Sequence, residues 1–244
     1  MRKNVLIGCV VLLFSCSCRN DLVEYEHGDL KIYVEQGDCW VHDFPLFMGI
    51  KIKNSPQIAI WLEDMNGNYL STVYVSHKIA TLSWKANGGN PRKEALPHWQ
   101  HIRALKNMDG LTGATPMGGL NIQPVTDGVT GATPRGSFDL KFRPAHTLKR
   151  FVVKIEVNHS TDFNEFYPKT AKAGAPDYSG GKEGSGQPAV VYAAEVDLSS
   201  DATVFEAVFI GHSSPDGASG KIEPDLSRLT TALQIVKKIT VTVQ

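Results

Sequence analysis

Apolar and polar side chains alternate with a period of two in stretch after stretch of this chain, and that periodicity confines it to a β-rich fold. Leu30-Lys31-Ile32-Tyr33-Val34-Glu35 alternates cleanly, and Phe151-Val152-Val153-Lys154-Ile155-Glu156-Val157 does so again. Successive strand residues point to opposite faces, so such patterns bury one face and wet the other. Ile58-Ala59-Ile60-Trp61-Leu62 is apolar without a break, as suits a central strand. Asn66-Gly67 then gives a hairpin signal ahead of a strand over Tyr69 to Val75. Further strands are expected at Ser137 to Phe142, Ala189 to Leu198, Val204 to Ile210 and Lys238 to Val243. Helical spacing is confined to two places. One follows Pro97, with Trp99, Ile102 and Leu105 on one face; the other is Asp225 to Val236, where Asp225 is a capping candidate and Leu226, Leu229, Leu233 and Val236 form a stripe. The Gly- and Ser-rich stretch from Ala171 to Pro188 predicts a mobile loop. The pattern as a whole predicts an all-β, mainly antiparallel domain over residues 28–244: an immunoglobulin-like β-sandwich with long loops and one or two short helices.

The first residues address the chain to an envelope. Arg2 and Lys3 form a basic head, and the apolar run Val5 to Phe14 is too short for a stable membrane anchor. Leu13-Phe14-Ser15-Cys16 resembles a bacterial lipobox, which makes residues 1–15 a signal peptide, Cys16 the lipidated residue and residues 16–27 a short tether. The alternatives are an ordinary signal peptide without lipid, or lipidation at Cys18, whose preceding residues match less well. In each case the domain works outside the cytoplasm, in the periplasm or at the cell surface. Cys9 leaves with the signal, so Cys18 and Cys39 remain; they could form one bridge, which is no disulfide scaffold, and there is neither a C-x-x-C knuckle nor a C-x-x-C-H haem motif. Without Arg2 and Lys3 the 25 basic residues become 23 against 25 acidic ones, a net charge of −2. So weak a field argues against a nucleic-acid partner.

One octapeptide occurs twice. Asp109 to Pro116 reads DGLTGATP and Asp127 to Pro134 reads DGVTGATP, eighteen positions on. Asp-Gly starts turns, Gly-Ala leaves the backbone nearly bare, and the proline stiffens the exit. Two surface turns with threonine hydroxyls bonded to nearby backbone would account for Asp, Gly and Pro. They would not account for Thr-Gly-Ala-Thr recurring intact, since many loop sequences turn a chain equally well.

The pattern D-x-x-[ST]-G-A-T resembles the target motif of flavin transferases, which esterify FMN through its phosphate to the final threonine. It is found in flavin-carrying subunits of the sodium-translocating NADH:quinone reductase and of Rnf complexes. Carried onto this chain, the resemblance names Thr115 and Thr133 as attachment residues, Asp109 and Asp127 as the residues that open the motifs, and Gly113-Ala114 and Gly131-Ala132 as the small pairs before the threonines. An acceptor must sit on an exposed, pliable loop with small neighbours, so that the modifying enzyme can approach the backbone. Further stretches resemble the DUF2271 family of periplasmic proteins: IAIWLED at Ile58 to Asp64, the region of Trp84, LPHW at Leu96 to Trp99, VNHSTDFN at Val157 to Asn164 and GQPAVVY at Gly186 to Tyr192. That family carries one motif ahead of a strand, which matches the second copy, before Ser137 to Leu140, and puts Thr133 ahead of Thr115. The implied protein is a lipid-anchored carrier of covalent FMN that passes electrons between extracytoplasmic or membrane redox partners, matured by a flavin transferase. It is a carrier more than a stand-alone enzyme. A tether suits an exported protein, where free FMN is dilute and a reversible site would empty by mass action. The rival reading is a non-redox sandwich lipoprotein that binds glycan or protein.

Other candidates are weaker. Trp84, Trp99 and His159 are possible flavin contacts; Trp61 and Tyr192 share the aromatic chemistry, but a sandwich core uses such residues first. His98 and His101, three apart, have no third ligand at a telling spacing and read as surface histidines. Gly211-His212-Ser213-Ser214-Pro215 has proline where a nucleophile elbow needs its closing glycine, so no serine hydrolase is expected. No calcium-loop spacing occurs among the loop aspartates.

Overall fold

A computed structural model describes residues 30–45, 48, 50–81, 92–109, 129–131, 133–144 and 147–244. In chain order the strands are β1 (Leu30–Gln36), β2 (His42–Pro45), β3 (Lys51–Asn54), β4 (Gln57–Glu63), β5 (Tyr69–Ser76), β6 (Val129–Gly131), β7 (Phe138–Phe142), β8 (Arg150–Asn158), β9 (Val190–Asp197), β10 (Val204–Glu206), β11 (Val208–Ser213), β12 (Ile222–Glu223) and β13 (Val236–Val243); the helices are α1 (His77–Thr81) and α2 (Pro97–Asp109). One sheet runs β10-β13-β1-β7 and a larger one β12-β11-β9-β8-β4-β5-β6, with β2 and β3 as a separate hairpin. Among the described residues every pairing between these strands is antiparallel except β5 with β6, so the all-β sandwich expected from the periodicity is what the chain forms.

The alternating strands bury one face each. Leu30, Ile32 and Val34 of β1, Phe138, Leu140 and Phe142 of β7, and Ile239 and Val241 of β13 meet Ile58, Ile60 and Leu62 of β4 and Phe151, Val153, Ile155 and Val157 of β8 in one core between the sheets. The unbroken apolar run of β4 has a separate cause. Its odd-facing residues Ala59 and Trp61 enter a second core, on the outer face of the larger sheet, with Val75, Val191, Leu96, Trp99 and Ile79. Helices α1 and α2 therefore add a third layer over part of that face. The hairpin after β4 forms as expected: Asp64 Oδ1 accepts from the amides of Asn66 and Asn68, each at 2.8 Å, and Gly67 takes φ +82°.

Three expectations are corrected. Asp225 to Val236 is not a helix: Asp225 Oδ1 accepts from Ser227 N at 2.9 Å in an Asx turn, a single 3₁₀ turn spans Thr231–Gln234, and β13 begins at Val236. The β-branched run behind Val236 pairs with β1 on one side and β10 on the other, and that tertiary gain overrides a helical stripe. Val204 to Ile210 is two strands in two sheets. Ala207 N stays bonded to Ile239 O at 3.0 Å while Val208 already pairs with Ala193. Ala171 to Pro188 is a pinned loop and not a loose one: Ser179, Ser185 and Gln187 are buried, and Gly186, at φ +80°, lies where a Cβ would stand 2.4 Å from the backbone of Asp162.

The two-sided burial of β4 predicts a steep contrast. Ile60→Ala should lower stability by about 2–5 kcal/mol in urea unfolding, whereas Val208→Ala, on an exposed side chain, should change it by less than about 0.5 kcal/mol.

Candidate functional site

The second octapeptide is held to one end of the sandwich. Val129, Thr130 and Gly131 pair in parallel with Tyr74, Val75 and Ser76, as the edge strand of the larger sheet. The motif is thus an edge strand running into a bend, not the plain surface turn the sequence suggests. Beyond it Thr133 is half-buried, and its Oγ1 lies 3.1 Å from Ser76 Oγ. Ser76 is buried; its hydroxyl accepts from Ile58 N at 2.6 Å and donates to Ile58 O at 3.0 Å. A serine hydroxyl has a single proton, so the proton between the two side chains comes from Thr133. One residue on, Pro134 O accepts from Trp40 Nε1 at 3.0 Å, and Trp40 is packed in the core against Phe138. Asp109 is the last residue of α2. Cys16, Trp84, Gly113, Ala114, Thr115, Asp127 and Ala132 lie outside the described residues.

The same end collects the polar stretches quoted above. Gln57 pairs with Asn158 across β4 and β8. Asn158 donates to Gln187 O at 3.0 Å and accepts from Ser185 Oγ at 2.8 Å. Gln187 donates to Asp162 Oδ2 at 2.9 Å and accepts from Thr230 N at 2.6 Å, while Thr231 Oγ1 lies 2.7 Å from Asp162 Oδ1. Burial pushes the Asp162 carboxyl up, against the pull of the Thr231 bond. Arg92, also buried, donates to Glu94 at 3.0 Å, to Ser185 at 3.2 Å and to Ser160. This network ties together the loops at the end of the sheet, and beside it the buried Gln57 Oε1 accepts no hydrogen bond among the described residues.

His159 belongs to that scaffold. It is buried, its Nε2 lies 2.9 Å from Cys39 O, and its ring stands 5.3 Å from that of His42. Burial and the neighbouring His42 push its pKa down to about 4, so it is neutral and bound to backbone. That corrects its place as a flavin contact. Trp99 is corrected likewise: it is 1% exposed under α2, with Nε1 bonded to Thr72 Oγ1 at 3.1 Å. Trp61 and Tyr192 are core residues, as expected of sandwich aromatics. Cys39 has its Sγ 3.5 Å from Gln234 Oε1, and Cys18 lies outside the described residues.

His98 and His101 are not the surface pair they resemble. His98 is buried with Nδ1 2.7 Å from Gly220 O, and His101 Nε2 lies 3.1 Å from Gly217 O; the two rings clamp the Ser214–Gly220 loop. Among the described residues no group of three or more His, Cys, Asp or Glu could hold a metal ion. Ser213 is buried at the end of β11 and donates to Glu156.

Glu156 went unnoticed because it reads as the polar member of an alternating strand. Pro97 opens α2 without a local capping side chain, and the cap arrives from β8 instead. Glu156 Oε1 accepts from His98 N at 3.1 Å and Oε2 from Trp99 N at 2.8 Å. Complete burial pushes its pKa up to about 7, in spite of these bonds. Compared with family models, curated proteins and solved structures, the chain matches none.

A carboxyl raised in the folded state binds a proton there that the unfolded chain releases. Its stabilising contribution is complete below pH 4.5 and is lost as pH rises through 7. Glu156→Gln should remove that part of the pH dependence in urea titrations between pH 4.5 and 8. His159 acts oppositely: its contribution is present above pH 6.5 and is lost as pH falls towards 4.

Proposed function

We propose that the protein is a lipid-anchored, extracytoplasmic electron carrier whose FMN is esterified through phosphate to Thr133, with Cys16 as the lipidated residue. The observation that carries this reading is the second D-G-V-T-G-A-T copy ending in a threonine at the rim of the sandwich, tied by its neighbours but outside the core. The residues present fit a tethered flavin. Thr133 is half-buried and bonded to Ser76, which departs from the exposed, pliable loop expected of an acceptor and requires that bond to open for the transferase. The exposed basic residues His77, Lys78 and Arg135 flank it and Ser76 in the chain, where a phosphate's charge would be met. When bound, the flavin supplies the one- and two-electron chemistry.

The chain's own residues hold and orient. Edge strand β6, the Ser76 bond and the Trp40 bond to Pro134 O fix the backbone on either side of the acceptor. No carboxylate or imidazole contacts the Thr133 hydroxyl among the described residues, so nothing here activates it, and esterification falls to the transferase and its metal. An ester oxygen has no proton to give. After modification the Ser76 hydroxyl must turn from Ile58 O to the ester oxygen or lose that partner.

Residues 19–244, treated with a flavin transferase and its flavin donor, should carry flavin fluorescence that stays with the denatured band on a gel. Thr133→Ala should abolish most of it and Thr115→Ala should leave it. An unlabelled chain beside a labelled control substrate, or equal labelling of Thr133→Ala, would overturn the proposal.

A further inference from the structure

The outer face of the larger sheet is only partly roofed. Helices α1 and α2 cover Ala59, Trp61, Val75 and Val191. Beyond them Val152, Ala193, Val208 and Ile210 form the floor of an open cleft of about 680 Å³, bounded by Phe205 and by Met65 of the β4–β5 turn. Ligand sites occupy a few hundred to about 1,000 Å³ with apolar linings and few polar groups. Large apolar side chains are also exposed here, Val204 at 58%, Val208 at 61% and Met65 at 41%.

Of the charged residues that line this cleft, Glu63, Asp64, Lys154, Glu195 and Glu206, the pair Lys154 and Glu63 is built into its wall. Lys154 Nζ lies 2.9 Å from Glu63 Oε2 and 3.3 Å from His98 Nε2. Glu63 is buried and its other oxygen accepts from Trp61 Nε1 at 2.8 Å. His98 Nδ1 must be the protonated nitrogen, since it faces Gly220 O at 2.7 Å, so Nε2 accepts from the lysine. Burial also lowers the pKa of this ring, which favours its neutral form. An ammonium has three donors. Two are taken, the third has no acceptor among the described residues, and Lys154 lines the cleft. Apolar residues of similar volume would pack such a wall at no loss of stability.

We propose that this cleft binds a neutral, largely apolar small molecule presenting a carbonyl-type oxygen, which accepts the third hydrogen bond of Lys154. Charge decides the class. A cationic ligand would meet the Lys154 ammonium at the wall, while Asp64 is already engaged by Asn66 and Asn68 of its own turn and Glu63 by Lys154 and Trp61. An anion would meet Asp64 and Glu195 at the rim, whereas Glu206 is neutralised by Lys238 at 2.9 Å. A neutral acceptor with an aliphatic or aromatic body meets neither objection. The site is independent of whether Thr133 carries flavin.

Among the described residues both cores run from Leu30 onward, and the binding experiments use the full chain. The probe is 6-propionyl-2-dimethylaminonaphthalene, a neutral fluorophore with a ketone oxygen; its anionic counterpart is 8-anilinonaphthalene-1-sulfonate. The ketone probe should bind saturably with a blue-shifted emission, and the sulfonate should bind at least about tenfold more weakly. Ala193→Trp fills the cleft from a half-buried surface position and should abolish binding without changing thermal unfolding. Lys154→Met leaves Glu63 buried and unpaired, so it is made together with Glu63→Gln; the folded double variant should bind about tenfold more weakly, the worth of one charge-assisted hydrogen bond. Non-saturable binding, equal binding of the sulfonate, or undiminished binding by either variant would overturn the proposal.

Discussion

Burial of β4 on both faces is the constraint on which the rest of the molecule depends. A strand with one wet face needs one partner layer; β4 needs two, and the chain supplies the smaller sheet on one side and the α1–α2 layer on the other. The layer is fastened through polar groups that would otherwise be orphaned. Glu156, on the neighbouring strand, caps α2 through the amides of His98 and Trp99, and Trp61 of β4 itself donates to Glu63. The consequence is a carboxyl pushed to about 7 in the middle of the structure, a local conflict that the cap offsets.

The ends of the same strand give rise to the candidate sites. At its start, Ile58 exchanges two hydrogen bonds with Ser76, and Ser76 in turn receives Thr133. Asn158, Gln187, Asp162 and Arg92 tie the adjoining loops together around that end. At its finish, Glu63 holds Lys154 at the wall of the open cleft. Thr133 and the cleft are thus placed by opposite ends of one strand whose position packing fixes.

Much of the fold was legible in residue periodicity, because strands such as β1 and β8 alternate over seven residues or more. What was misread was short or tertiary. Leu226 to Val236 has helical spacing, yet the strand partners of Val236 to Val243 are remote in sequence and no local pattern announces them. The edge strand Val129–Gly131 is three residues of a turn-like motif, recognisable only once Ser76 lies beside Gly131. Of the site, Thr133 was named by its motif. Ser76, Trp40 and Glu156 were not, since each acts across 57 residues or more of chain and carries no signature of its own. His159 and Trp99 show the converse: suggestive residue types whose polar atoms the structure turns to backbone or to a neighbouring hydroxyl.

Whether Thr133 bears a flavin in the cell is settled most directly by mass spectrometry of peptides from the protein purified out of the cells that make it. A peptide spanning Thr133 with FMN added through a phosphoester, beside a lipid-modified N-terminal peptide beginning at Cys16, is the predicted result. An unmodified Thr133 peptide at full recovery, in membranes where other chains carry covalent flavin, would contradict it.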